Sequence, residues 1–366
     1  MNNRLLAAGR FRSVISMVLC LWAAAGVLAA VASTTTNPVG YATVALLANS
    51  DAIVSVPFQR AAAFVGTVVS VTGNVVNVEG APAWAADQFV YRAGSQPNSY
   101  YASIRSGAKE GRSFAIMANR AASLTLASGD DAPSGVATGD RLSVIPHWTL
   151  GTVFPAASVG VQLAETSASG PEGTRVMVLA IPPTGINPAA AASFVLSGGA
   201  WRAVGQLTGA SKDDEVVRPD TYLVVRNPGA ARTVVTGGTV VMHRATLNLT
   251  TVANAPADNP AAPPRPVPVT LNESGLIAGG AFAPSVSAVQ RADVLVVFDN
   301  ATAALKRPAV DFYINTGGAW RKLGAPQTQD FGNDVVFGPG KAAFVRKAAG
   351  SAASTAVWIN APSYAP

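Results

Sequence analysis

Beyond residue 32, hydrophobic positions fall in short runs rather than along helical stripes. Residues 52–56, 67–71, 75–78, 175–180, 222–226, 240–243, 293–298 and 342–346 are Val-rich and bounded by Gly, Pro, Asn or Asp, the pattern of strands closed by turns. No stretch keeps an apolar i, i+3, i+4, i+7 period over more than about ten residues. Helix is therefore expected only as one or two short turns in Ala-rich stretches such as 188–192. The predicted fold class is all-β, with tandem antiparallel β-sandwich or small-barrel units. Gly73-Asn74, between two Val-rich runs, marks a tight hairpin. Residues 294–298 are apolar at every position, unlike the alternating strand of a transmembrane barrel.

An internal repeat organises the pattern. Phe194-Val195-Leu196-Ser197-Gly198-Gly199-Ala200-Trp201-Arg202 is echoed by Phe312-Tyr313-Ile314-Asn315-Thr316-Gly317-Gly318-Ala319-Trp320-Arg321, with the GGAWR segments 119 residues apart. The match continues from Glu215-Val216-Val217 to Arg226 and from Asp334-Val335-Val336 to Arg346. Gly-Gly admits the positive φ of a type I′ or II′ turn, so each copy folds back as a hairpin with a Trp just past the turn. Gly338-Pro339-Gly340 fits a type II turn, with Pro presetting φ and Gly accepting φ > 0. A weaker third copy is suggested by residues 51–58 and 139–150. Residues 254–269 contain six prolines and read as a stiff, extended connector. The expected units are a leader over 1–32, an N-terminal β unit over 33–154, a repeat unit over 155–253, the connector over 254–268 and a second repeat unit over 269–366.

The leader changes the picture of composition. Arg4, Arg10 and Arg12 precede the apolar run 14–32, and Ala30-Val31-Ala32 comes before Ser33-Thr34-Thr35-Thr36. This is the n-region, h-region and cleavage site of a secretory signal peptide, with an uncleaved membrane anchor as the alternative. Cys20 has Leu19 before it, where a lipoprotein processing site needs a small residue, so it reads as part of the h-region. Cleavage after Ala32 removes the single Cys and three of the six net positive charges. No basic cluster remains to recruit nucleic acid, and thiol chemistry leaves with the leader. The expectation is an exported protein of the extracellular space, cell surface or periplasm, without a transmembrane segment after cleavage.

Several segments look familiar together. Asn37-Pro38-Val39-Gly40-Tyr41-Ala42-Thr43-Val44, Val54-Ser55-Val56-Pro57-Phe58, Gln88-Phe89-Val90-Tyr91, Lys109-Glu110-Gly111-Arg112, Ile145-Pro146-His147-Trp148-Thr149-Leu150 and the GGAWR segments resemble an uncharacterised family of exported proteins known mainly from verrucomicrobial bacteria. The likeness spans nearly all of the chain beyond the leader and departs mainly at the Pro-rich connector. It implies export and a shared β architecture, and it brings no catalytic residues with it.

Chemistry is sparse. No G-x-S-x-G elbow occurs, and the two histidines, His147 and His243, each follow a strand-like run. Without H-E-x-x-H or thiols a zinc site lacks its usual ligands. The acidic clusters Asp130-Asp131, Asp213-Asp214-Glu215 and Asp330 with Asn333-Asp334 lack the spacing of a Ca²⁺ loop. They read as solvated turns, with Ca²⁺ as the minor reading. No catalytic, cofactor or metal residues are assigned. Trp84, Tyr91, Tyr100, Tyr101 and Trp148 concentrate in the first unit. They are the candidate glycan platform, weighed against burial as core rings. The expected role is a non-enzymatic structural or adhesive protein of the surface or envelope. Its partners would be surface polysaccharide or other envelope proteins. A carbohydrate-binding protein is the first alternative, a polysaccharide-active hydrolase the second.

Overall fold

In the computed structural model, which describes residues 38–128, 133–156, 163–167, 169–170 and 172–364, the Val-rich runs pair as antiparallel strands and the chain is all-β. The leader, its cleavage site and Asp130-Asp131 lie outside the described residues. The chain opens with β1 (Val39–Leu46) and β2 (Ser50–Val54). Six strands follow: β3 (Phe64–Thr72), β4 (Val75–Val78), β5 (Tyr100–Ile104), β6 (Ser113–Arg120), β7 (Ser123–Leu126) and β8 (Arg141–Pro146). These six close into a barrel in the order β3-β4-β7-β6-β5-β8. Its inward alternate positions, among them Val68, Val76, Ile104, Leu124, Leu142 and Val144, form one core.

After the barrel come β9 (Trp148–Thr149), a single helical turn α1 (Leu150–Val153), β10 (Arg175–Leu179), β11 (Ala190–Ser197), β12 (Ala200–Ala203), β13 (Val216–Val217), β14 (Leu223–Asn227) and β15 (Arg232–Thr239). The last third holds β16 (Ala245–Thr251), β17 (Ala257–Asn259), β18 (Val269–Thr270), β19 (Val294–Asp299), β20 (Asp311–Thr316), β21 (Ala319–Lys322), β22 (Val335–Phe337), β23 (Lys341–Lys347) and β24 (Ser354–Asn360).

The strand pairing falls into two matching sets. One five-stranded sheet runs β12-β11-β10-β14-β2 and the other β21-β20-β19-β23-β17. β1 pairs β15 as β16 pairs β24, and β9 pairs β13 as β18 pairs β22. Two sets of nine strands thus pair in the same order, the first with the barrel between β2 and β9, and they are called the first and second repeat below. In the second set the rest of the Pro-rich stretch, residues 260–268, occupies that position.

Several expectations change accordingly. β1 and β2, expected in the N-terminal unit, belong to the first repeat, because their ladder partners are β15 and β14. Residues 51–54 correspond to β17, so the barrel is an insertion of different topology and not a third copy. The Pro-rich stretch is packed rather than a free spacer. β17 lies at a sheet edge, where one side of the strand needs no ladder donors, and Ala257, Asp258, Asn259, Ala262 and Arg265 are buried. Residues 240–243 form the crossover between repeats instead of a strand, with the Val241 carbonyl accepting Arg265 and Tyr364. Residues 190–192 lie in β11 rather than a helical turn; tertiary pairing with β10 overrides the helix preference of alanine.

Each sheet is covered on both faces. Leu295 and Val297 of β19 enter the second repeat's own core. Val294 and Val296 of the same strand join Ile53, Leu179 and Tyr222 in a core shared by the two repeats. A strand apolar at every position is what burial on both faces requires.

Candidate functional site

The five candidate aromatics are not brought together as a platform. Trp84 is 9% exposed and packs edge-on between Phe64 and Phe89 in the barrel core. Tyr100 is half-buried against Phe89. Tyr101, on the other face of β5, is 3% exposed and its ring lies 4.7 Å from that of His147. Trp148, where the chain leaves the barrel, donates its indole N–H to the Phe58 carbonyl at the barrel's entry at 2.8 Å, with Arg60 over its ring. Tyr91 is the exposed member, donating to Asp214 at 2.5 Å. Burial in the barrel core and at the barrel's junction with the first repeat leaves few faces for a sugar.

The acidic clusters serve as acceptors. Asp213 Oδ1 accepts the backbone N–H of Trp201 at 2.8 Å, and Asp330 Oδ1 accepts that of Trp320 at 3.0 Å. The two equivalent loops therefore fasten the two GGAW hairpins in the same way. Tyr313 donates to Asp334 at 2.7 Å. Among the described residues no group of three or more His, Cys, Asp or Glu is placed to hold a metal ion.

A cleft lies elsewhere, between the two five-stranded sheets, and no local sequence pattern marks it. The cleft has a volume of about 810 Å³, within the size range of small-molecule sites. Its walls are supplied by matching positions of the two repeats. Met177 and Val224 pair across β10–β14, as Val296 and Phe344 pair across β19–β23. Leu179 and Ala190 line one side, Phe298 and Ala309 the other.

The polar groups follow the same symmetry. Asp51 Oδ1 and Oδ2 accept Arg226 Nε and Nη2 at 2.7 and 2.9 Å. Asp258 accepts the same two atoms of Arg346 at 2.6 and 3.0 Å. Each aspartate also takes a backbone N–H from the opposite repeat: Lys306 donates to Asp51 at 2.7 Å and Asn187 to Asp258 at 2.9 Å. Lys306 and Asn187 both have positive φ, 49° and 52°, the turn geometry that aims these N–H groups across the junction. Such reciprocal contacts are those of a two-fold, isologous interface, here formed within one chain.

Both aspartates are almost fully buried, and a buried bidentate pair is strongly destabilised when one partner is removed. The hydrogen bond to aspartate is the main reason the Arg226 and Arg346 guanidiniums are held above their ordinary pKa. Arg307 is 9% exposed and donates to the carbonyls of Asp51 and Asp299 and to Ser50 Oγ. Burial lowers its pKa, with Asp51 and Asp299 opposing.

Comparison of the chain with protein-family models, with curated proteins and with solved structures finds no match. No helix among the described residues is long and apolar enough to cross a membrane.

Proposed function

We propose that the protein is an exported, non-enzymatic binding protein of the cell surface or envelope, and that the cleft between its repeats takes the ligand. One observation carries this reading. Two sheets that are otherwise packed face to face part to leave a cleft with an apolar floor and four cations, Arg226, Lys306, Arg307 and Arg346, drawn from both repeats. An apolar concavity with a few convergent polar groups is the usual form of a binding site. The leader pattern of residues 1–36 supports export. The use of Asp213 and Asp330 as turn acceptors supports a non-catalytic role.

The test is calorimetric titration of residues 33–366 with a panel of amphiphiles and soluble polysaccharides, repeated on Ala190→Trp, which fills the cleft from its edge. Binding that the filled variant loses supports the cleft. Polysaccharide binding that survives Ala190→Trp but is lost in Tyr91→Ala returns the assignment to the aromatic surface. The structural or adhesive reading draws on a different feature. The outward face of the β1–β15 ribbon presents Val39, Tyr41 and Val235 to solvent, and an exposed apolar strip of this kind marks an interaction surface.

A further inference from the structure

The cleft's chemistry narrows its ligand. Its floor is hydrocarbon and thioether: Met177, Leu179 and Val224 face Val296, Phe298 and Phe344. Such a surface accepts an aliphatic chain through burial of apolar area and offers a sugar few hydrogen bonds. Its charge is positive. Four cations line it against one acid, Asp51. Counting Asp258, which bonds Arg346, cations still outnumber acids. Arg226 and Arg346 engage their aspartates through Nε and Nη2, so Nη1 of each takes no part in those pairs. Lys306 is exposed, and its ammonium forms no ion pair among the described residues. Positive potential over low-dielectric walls selects an anion and draws it in.

We propose that the inter-repeat cleft binds a single-chain aliphatic carboxylate, its chain laid on the shared apolar floor and its head group at the Lys306 end. This rests on the reading of the cleft as the ligand site. A free carboxylate is chosen over a lipid still in its bilayer because the apolar surface is sunk between two sheets rather than presented on a convex face.

The experiment titrates residues 33–366 with dodecanoate below its micelle concentration, with dodecyltrimethylammonium as the cation of equal chain length, and with flotation on phosphatidylglycerol vesicles as a separate arm. Dodecanoate is expected to bind at one site, at least about tenfold tighter than the cation. Lys306→Glu should weaken it about tenfold, and Ala190→Trp should abolish it, with both variants keeping the parental circular dichroism and urea midpoint. Equal affinity for the two amphiphiles, or an unchanged Lys306→Glu, overturns the carboxylate assignment while leaving the cleft as a binding site. Failure of every amphiphile to bind overturns the cleft reading itself. Vesicle flotation that persists in Ala190→Trp without dodecanoate binding overturns the proposal in favour of a membrane-facing surface elsewhere.

Discussion

At the scale of single residues, burial decides more than identity. His147 stands at a strand end, as its sequence position implies, but its environment comes from two distant elements. Its ring lies beside Tyr101 of the barrel, and it feels Asp220 and Arg218 of the first repeat. Its Nδ1 is buried without a hydrogen-bond partner among the described residues. Burial pushes its pKa down from 6.5 to about 4, Asp220 opposes the shift and Arg218 adds to it. Folded His147 therefore stays neutral while the unfolded chain takes up a proton near its ordinary value. Stability should be full above pH 6.5, fall as pH drops toward 4, and draw no further loss from this group below that. At about 1.4 kcal/mol for each pH unit between the two values, the full effect is roughly 3 kcal/mol. His243 is shifted the same way, chiefly by burial, and adds to it. His147→Gln should make the fall in urea midpoint between pH 6.5 and 5 shallower than in the parent. An unaltered slope would show that this ring is not the source. Tyr100 and Tyr101 teach the same lesson. They lie on opposite faces of β5, and the first repeat docking on the barrel covers the outer face too.

At the scale of elements, turn chemistry was the readable signal. Gly198 and Gly199 have φ of 59° and 72°, and Gly317 and Gly318 have 60° and 79°. Positive φ at both central positions is the type I′ turn, whose twist matches that of the flanking strands. The Gly338–Lys341 turn closes with a 3.1 Å hydrogen bond and has Gly340 at φ 80°, the type II form expected from Pro339. A Cβ added at Gly317 meets nothing within 4 Å, so a substitution there is penalised by φ alone. Gly317→Val should cost about 1–2 kcal/mol in chemical denaturation, while Gly317→Asn, which tolerates the left-handed region, should be close to neutral. Equal losses in the two variants would mean that the hairpin is held by its flanks rather than by its turn. The indoles behind these turns have matching settings. Trp201 and Trp320 are both buried, each beside a phenylalanine, Phe154 and Phe282 respectively.

At the scale of the whole molecule, the barrel is an insertion into a complete unit. Its entry and exit are close together: Gln59 bridges to Thr239 of β15, and Trp148 reaches back to the Phe58 carbonyl. Domains inserted between neighbouring chain ends are commonly removable. Joining Gln59 to Trp148 through a short Gly-Ser linker should leave the paired repeats folded, with the cleft and both Arg–Asp pairs intact. The check is a single cooperative urea transition together with retained ligand binding. Loss of cooperative unfolding would show that the barrel supports the first repeat rather than decorating it. The opposite cut, through the crossover at residues 240–243, would strip the shared core from both repeats and expose Leu179, Tyr222, Val296 and Phe344.

Strand content, the tight turns and the GGAWR duplication are legible in the sequence, because binary pattern and glycine or proline geometry act over a few neighbouring residues. The repeat's full extent escaped it. The copies agree in sequence mainly where a turn or an anchored Trp demands particular side chains, and the barrel separates β2 from β9 in the first copy. Which strands share a sheet, and which rings are buried on their second face, follows from long-range packing. It also decided where the two repeats part. Asp51 meets Arg226 across 175 residues of chain, and the cleft depends on two sheets docking about a common axis, a closure that no local pattern encodes.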